Sequence, residues 1–110
     1  MLRLLIADDA PDAREAIRAS LSGQPEIEVV GEAEDGEEAI SLAASLEPDV
    51  VLMDVKMPVL DGIAATRRIR QLLPKARIVG TIAGDDTCLV VAQNNRDATL
   101  LARELAGLVG

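Results

Sequence analysis

The sequence predicts an α/β fold, in which one largely parallel β-sheet is covered by helices on both faces to give three layers. Short apolar runs alternate with stretches of helical periodicity, and each of the first four runs is separated from the next by a predicted helix. The first run, Leu2–Ala7, is apolar almost throughout, as is typical of a strand buried on both faces. The chain of 110 residues fits a single domain, residues 1–110.

The elements follow in order along the first two thirds of the chain. Pro11 opens the first helix, because its missing N–H costs nothing in a first helical turn. Asp35 and Glu38 have the spacing of a capping box before the second helix, Asp61 caps the third helix, and Pro74 ends it. The four predicted strands are Leu2–Ala7, Ile27–Val30, Val50–Met53 and Arg77–Ile82.

The alternation of strands and helices ends after the fourth strand. The next apolar run, Thr87–Ala92, is separated from Ile82 by four residues, which leaves no room for a helical crossover. We therefore predict a β-hairpin that makes the fifth strand antiparallel to the fourth, followed by a fourth helix from about residue 95. A fifth strand at the sheet edge, rich in Leu and Val, would favour a homodimer through that edge.

Composition and charge exclude several functions. The formal net charge of −8 argues against binding to nucleic acid or anionic lipid through bulk electrostatics, and no apolar run has the length of a membrane span. The single cysteine, Cys88, cannot form an intramolecular disulfide, which favours a reducing, cytoplasmic location. Because Cys88 lies in an apolar run, we expect it to be a small packed residue.

Three carboxylates follow two of the predicted strands. Asp8 and Asp9 come after the first strand, and Asp54 comes after the third. Open α/β sheets bind their ligands at the carboxyl ends of their strands. If the two strands are neighbours, the three acids meet in one pocket, where like charges resist ionising together unless a cation lies between them. The sequence therefore predicts a cation site at this edge.

Three motifs fall at the strand ends and helix starts of residues 2–79: Leu5–Asp9, Gly31–Ala39 and Pro48–Gly62. With them, this part of the chain closely resembles the receiver domain of two-component response regulators. The resemblance implies a flavodoxin-like sheet of strand order 2-1-3-4-5, with strands 1 to 4 parallel and, by the hairpin argument, strand 5 antiparallel. It also implies that Asp54 is the phosphoacceptor and that Asp8, Asp9, Asp54 and the backbone carbonyl of Lys56 hold Mg²⁺.

The chain departs from the receiver pattern near its end. Receivers place a Ser or Thr at the end of the fourth strand and a Lys at the end of the fifth, both in contact with the phosphoryl group. By its match to the receiver pattern, Ile82 falls at the hydroxyl position, and Thr81, one residue away, points to the other face. The family lysine is missing, since the only lysines are Lys56 and Lys75. We therefore expect Mg²⁺ binding to persist and phosphorylation to be weak or absent.

The segment Gly80–Thr87, followed by an Ala- and Leu-rich stretch, resembles the C-terminal end of bacterial arginine repressors. In that family the residues matching Asp85 and Asp86 bind L-arginine. We interpret the chain as a recombined or engineered chimera, a de novo protein with a receiver-derived part at 1–79 and an arginine-repressor-like hairpin and helix at 80–110. Such a chimera keeps the acidic Mg²⁺ pocket without signalling output.

Two alternatives stay open. The first is a functional phosphoacceptor of a two-component phosphorelay, which takes its phosphoryl group from a histidine kinase. Receivers help to catalyse their own modification, so this alternative leaves the enzyme status open. The second is L-arginine binding through Asp85 and Asp86, although we expect these residues to form a hairpin turn. If that turn lies near Asp54, its two negative charges favour Mg²⁺ and oppose a phosphoryl group.

Overall fold

The structure, a computed structural model, describes residues 2–74, 76–82 and 88–92, with the backbone alone described for 77–82 and 88–92. These residues contain five strands and three helices. The strands are β1 (Leu2–Ala7), β2 (Ile27–Ala33), β3 (Val50–Asp54), β4 (Arg77–Ile82) and β5 (Cys88–Ala92). The helices are α1 (Pro11–Leu21), α2 (Gly36–Leu46) and α3 (Gly62–Leu72). The predicted fourth helix lies outside the described residues.

Strand β1 is the centre of the parallel part of the sheet. It pairs in parallel with β2 on one side and with β3 on the other. Ala7, the last residue of β1, is paired with Met53 of β3, so that the next residues of the two strands, Asp8 and Asp54, emerge side by side. The parallel strands with intervening helices confirm the α/β fold.

The order of the strands differs from the predicted order 2-1-3-4-5. The observed order is β2-β1-β3-β5-β4, with β5 antiparallel to both β3 and β4. Strand 5 is therefore interior, and the prediction that it forms an exposed edge of the sheet is wrong. The homodimer that we expected through that edge loses its structural basis, and dimerisation stays an untested prediction. The physical reason is that β5 is apolar throughout and suits two neighbours, whereas β4 carries Arg77 and Gly80, residue types that are tolerated at an edge.

The core is divided by the sheet. Alternate residues of β1 point to opposite faces, so Leu4 and Ile6 share one face while Leu5 and Ala7 share the other, and all four are fully buried. The cluster around Leu5 and Ala7 packs small residues of α2 and α3 against the sheet. It consists of Leu5, Ala7, Ala33, Ala39, Ala43, Val51, Met53, Met57, Ala65, Ile69 and Ala76. The burial of β1 on both faces is the pattern expected for the central strand of a three-layer fold.

The starts of α2 and α3 have the caps that the sequence predicts. Asp35 Oδ1 accepts a hydrogen bond of 2.8 Å from the backbone N–H of Glu38, and Asp61 Oδ1 accepts one of 2.8 Å from Ala64. Each such cap stabilises a helix by about 1 kcal/mol. Helix α1 has no side-chain cap and instead begins at Pro11. Each helix has 11 residues, and none in the described part of the chain is long and apolar enough to cross a membrane.

Candidate functional site

The three predicted carboxylates meet at the carboxyl ends of β1 and β3. Asp8, Asp9 and Asp54 each offer one carboxylate oxygen, and these three oxygens lie within 4.8 Å of one another. Asp8 and Asp54 are half-buried, whereas Asp9 is exposed. The parallel pairing of β1 with β3 is what brings together residues that are more than 40 positions apart in sequence.

Asp54 is held by the loop that follows it. Its Oδ1 accepts a hydrogen bond of 3.1 Å from the backbone N–H of Lys56, which fixes one oxygen of the carboxylate. The loop then folds back, and Gly62 N–H donates to the Val55 carbonyl at 2.9 Å. A Cβ atom at Gly62 would overlap the Asp54 carbonyl oxygen. The start of α3 can approach the end of β3 this closely because position 62 has no side chain.

The same loop is anchored to the start of α2 and contains a strained residue. A Cβ atom at Gly36 would overlap the Leu60 carbonyl oxygen, so the loop also depends on a glycine in α2. Between these anchors Val59 has φ 70° and a side chain that is 72% exposed. A β-branched residue in the left-handed region costs roughly 1–3 kcal/mol, and Val59 has few contacts to compensate for that cost.

The electrostatics of the pocket favour a cation. Burial raises the pKa of the Asp54 carboxyl above its ordinary value, and the charges of Asp8 and Asp9 raise it further. The hydrogen bond from the backbone of Lys56 and the charge of Lys56 act in the opposite direction but do not cancel the increase in this pKa. Three carboxylates with hard oxygen atoms, at this separation and with this repulsion, form a donor set that fits Mg²⁺.

Asp8 is fixed by contacts that the sequence did not predict. Its N–H donates to the Ala33 carbonyl at 3.0 Å, its Oδ1 accepts from Ala10 N–H at 2.9 Å, and its carbonyl accepts from Arg14 Nη1 at 2.6 Å. Arg14 is itself buried. The signal in the sequence is a charged residue seven positions before the buried Leu21, on the same face of α1.

The strand on the other side of Asp54 is β5. Cys88 is paired with Asp54, and Ile82 of β4 is paired with Cys88. Thr81 and Ile82, the two residues considered for the hydroxyl position of receivers, therefore lie two strand spacings from β3, about 10 Å away. Asp85 and Asp86 lie outside the described residues, so their position near the pocket stays a prediction.

Comparison with known proteins identifies the family. The response regulator receiver domain family matches residues 4–100, and the chain therefore belongs to this family. The transcriptional regulatory protein LiaR of Bacillus subtilis is 46% identical over 88 residues, which are 78% of this chain and 42% of LiaR. A protein-glutamate methylesterase/protein-glutamine glutaminase of Methanosarcina acetivorans is 49% identical over 73 residues, 66% of this chain and 21% of that protein. The chain thus spans less than half the length of these relatives.

Solved structures show the same fold. The response regulator domain of Thermotoga maritima CheB has a TM-score of 0.65 at 40% identity, over 67% of this chain and 55% of that chain. The receiver domain of NarL from Mycobacterium tuberculosis has a TM-score of 0.61 at 38% identity, over 64% and 56%. The family match crosses the chimera boundary that we predicted at residue 79. These comparisons support the receiver interpretation and give no support to an arginine-repressor segment.

Proposed function

We propose that this protein is a phosphoacceptor receiver domain of a two-component system, with Asp54 as the residue that is phosphorylated. The observation that supports it best is the convergence of Asp8, Asp9 and Asp54 within 4.8 Å at the carboxyl ends of β1 and β3, in a chain of the receiver family. The phosphoryl donor would be a histidine kinase or a small acyl phosphate. Of the functions inferred from the sequence, this alternative now has more support than the chimera without output.

The chemistry follows from the position of the Asp54 carboxylate. Lys56 N–H holds Oδ1, so that Oδ2 is the oxygen without a hydrogen bond in the described part of the chain. Oδ2 attacks the phosphorus atom and forms an acyl–phosphate bond. The bond from phosphorus to the donor breaks at the same time, and the leaving group, an imidazole or a carboxylate, keeps its electron pair.

Asp8, Asp9, Asp54 and the carbonyl of Lys56 would hold Mg²⁺. When bound, this ion supplies positive charge that neutralises the oxygens of the transferred phosphoryl group. The backbone N–H of Lys56 orients the Asp54 carboxylate, and the negative charges of Asp8 and Asp9 attract the ion. Without the ion, these two charges repel the phosphoryl donor.

The departure from the family pattern sets the expected rate. The only lysines are Lys56 and Lys75, and neither belongs to β5, where receivers carry the lysine that contacts the phosphoryl group. We therefore expect phosphorylation of Asp54 to be slow and the phosphorylated state to produce little conformational signal. A cytoplasmic location remains an expectation from the lone cysteine.

Intact mass spectrometry after incubation with acetyl phosphate and Mg²⁺ tests this function. We expect the wild type to gain the mass of one phosphoryl group, and Asp54→Asn to gain none. Asp12→Asn, which changes an exposed aspartate in the first turn of α1, is the matched control and should gain the same mass as the wild type. No gain in the wild type at any Mg²⁺ concentration, or an equal gain in Asp54→Asn, would refute the proposal.

The finer hypotheses about the end of the chain need their own test. The resemblance of Gly80–Thr87 to arginine repressors suggests L-arginine as a ligand of Asp85 and Asp86, and the chimera hypothesis depends on the same segment. Titration calorimetry with L-arginine tests this hypothesis, which a heat of binding abolished by Asp85→Asn would support. We expect no binding, because a hairpin turn explains these residues without a ligand.

A further inference from the structure

Arg14 is a buried cation beside the acidic pocket. It is 9% exposed, and its guanidinium group makes three interactions. Nη1 donates to the Asp8 carbonyl at 2.6 Å, Nε donates to Glu32 Oε1 at 3.1 Å, and Nη2 lies 3.8 Å from Glu34 Oε1. A buried arginine with this many polar partners is held in one orientation, because any other would leave its charge buried and unpaired.

The hydrogen bond to the Asp8 carbonyl fixes the backbone that carries two of the three acids. That carbonyl belongs to the peptide bond between Asp8 and Asp9, which is planar, so holding its oxygen also sets the direction of the Asp9 N–H. The N–H of Asp8 is already held by the Ala33 carbonyl at 3.0 Å. The turn formed by Asp8, Asp9 and Ala10 is therefore bound to β2 through the Asp8 N–H and to α1 through Arg14.

Glu32 orients Arg14 from β2. Its Oε1 accepts from Arg14 Nε at 3.1 Å, and its Oε2 lies 3.3 Å from Arg18 Nε. Arg18 is one helical turn further along α1, its side chain is 49% exposed, and its ion pair is with Glu32. The two arginines thus share one glutamate and carry the same charge, while Arg14 is the one that donates to Asp8.

We propose that Arg14 is a positioning residue that keeps Asp8 and Asp9 in the geometry that binds Mg²⁺, an inference that rests on the proposed metal site. If Arg14 acted through its charge alone, its removal would change the affinity for Mg²⁺ in the opposite direction. A positive charge near the pocket weakens cation binding, so its removal should strengthen binding. If Arg14 positions the acids, its removal weakens binding in spite of the lost repulsion.

Titration with Mg²⁺, followed by the backbone amide signals of Asp8, Asp9 and Asp54 in NMR spectra, separates the two views. We expect Arg14→Met to raise the Kd for Mg²⁺ by about tenfold, a typical effect of removing a group that orients a metal ligand. Arg18→Met is the matched control, since it removes the same charge from the same glutamate, and its Kd should equal or fall below that of the wild type. Arg14→Lys should recover part of the affinity, because an ammonium group still donates to the Asp8 carbonyl.

Amide hydrogen exchange in metal-free protein gives a second measurement that needs no Mg²⁺. The N–H groups of Asp8 and Ala10 should exchange faster in Arg14→Met than in Arg18→Met, since the turn between them loses its attachment to α1. Glu32→Gln, which leaves Arg14 in place but removes the charge of the partner that orients its Nε, serves if Arg14→Met does not fold, and should speed exchange at Asp8 and Ala10 in the same way.

The outcomes are distinct. An Arg14→Met Kd equal to or below that of the wild type, or unchanged exchange at Asp8 and Ala10, would overturn the positioning role. If the wild type binds no Mg²⁺, the proposed metal site fails, and the role of Arg14 in positioning metal ligands fails with it. Faster exchange in Arg14→Met would then still show that Arg14 orders the turn.

Discussion

Arg3 and Asp49, which lie 46 residues apart, exchange two hydrogen bonds at the amino ends of β1 and β3, opposite the acidic pocket. Arg3 N–H donates to Asp49 Oδ2 at 2.8 Å, and Asp49 N–H donates to the Arg3 carbonyl at 2.8 Å. This pair ties the start of β1 to the residue before β3 and so sets the register of the two strands. The same register places Asp8 beside Asp54 at the carboxyl ends of the two strands.

Replacement of Asp49 by Ala should lower the free energy of unfolding by about 1–2 kcal/mol, because the half-buried Arg3 N–H loses its acceptor. Asp49→Asn keeps an oxygen acceptor and should cost less. Urea denaturation of both variants measures the difference. Equal losses in the two variants would show that the charge of Asp49, and not its hydrogen bond, supports the sheet.

Stability should depend on the protonation of Asp54. Because the pKa of Asp54 is raised in the folded state, the folded protein binds this proton more tightly than the unfolded chain. Stability is therefore lost as the pH rises from the ordinary aspartate pKa, about 3.9, through the raised value. Asp54→Asn removes this loss and should unfold at a higher urea concentration than the wild type at pH 7 without Mg²⁺.

The pH profile supplies the control for this prediction. The difference between the wild type and Asp54→Asn should shrink towards zero below about pH 3.5, where Asp54 is protonated in both states. Glu15→Gln, which changes an exposed carboxylate on α1, should have no comparable effect. A wild type that is more stable than Asp54→Asn at pH 7 would contradict the burial and the repulsion that together raise the pKa of Asp54.

Val59 should be replaceable with a gain in stability. Its φ of 70° favours Asn over a β-branched residue, and its side chain is 72% exposed, so little packing is lost. Val59→Asn should raise the free energy of unfolding by about 1 kcal/mol. Val59→Ala, which keeps the Cβ atom at the same φ, should gain less. Thermal unfolding of the three proteins gives the order, and a loss in Val59→Asn would mean that Val59 has a packing role.

Gly62 should tolerate no side chain. Gly62→Ala places a Cβ atom against the backbone of Asp54 and Val55 and should cost about 1–3 kcal/mol or more. Gly23→Ala is the matched control, since no atom lies within 4 Å of a Cβ atom there, and should change stability by less than about 0.5 kcal/mol. Equal effects of the two substitutions in urea denaturation would contradict the close approach of α3 to β3.

Several features of the fold could be predicted because their causes are local or follow from chain connectivity. Asp35 and Asp61 cap helices through bonds to residues three positions later, and sequence spacing reveals such bonds. The meeting of Asp8 with Asp54 follows from the parallel pairing of two strands joined through helices. The caps need no knowledge of long-range packing, and the meeting of the acids needs only that β1 and β3 are neighbours in the sheet.

The remainder depends on choices between arrangements of similar energy. A hairpin can present either of its strands to β3, and the apolar composition of β5 favours the interior position that the predicted order gave to β4. Arg14 was missed because its three partners come from two other segments of the chain, and a single charged residue in a helix usually faces solvent. The left-handed conformation of Val59 had no signal, since valine rarely adopts it.

The position of β5 between β3 and β4 also determines the order in which the strands can pair during synthesis. The ribosome releases β4 before β5, yet β4 has no partner in the sheet until β5 has paired with β3. The three strands β2, β1 and β3 can assemble on the nascent chain as soon as residue 54 has emerged, while β4 must wait for residue 92. Until then, the unpaired backbone of β4 is a transient site for association between chains, which makes chaperone binding at this stage advantageous.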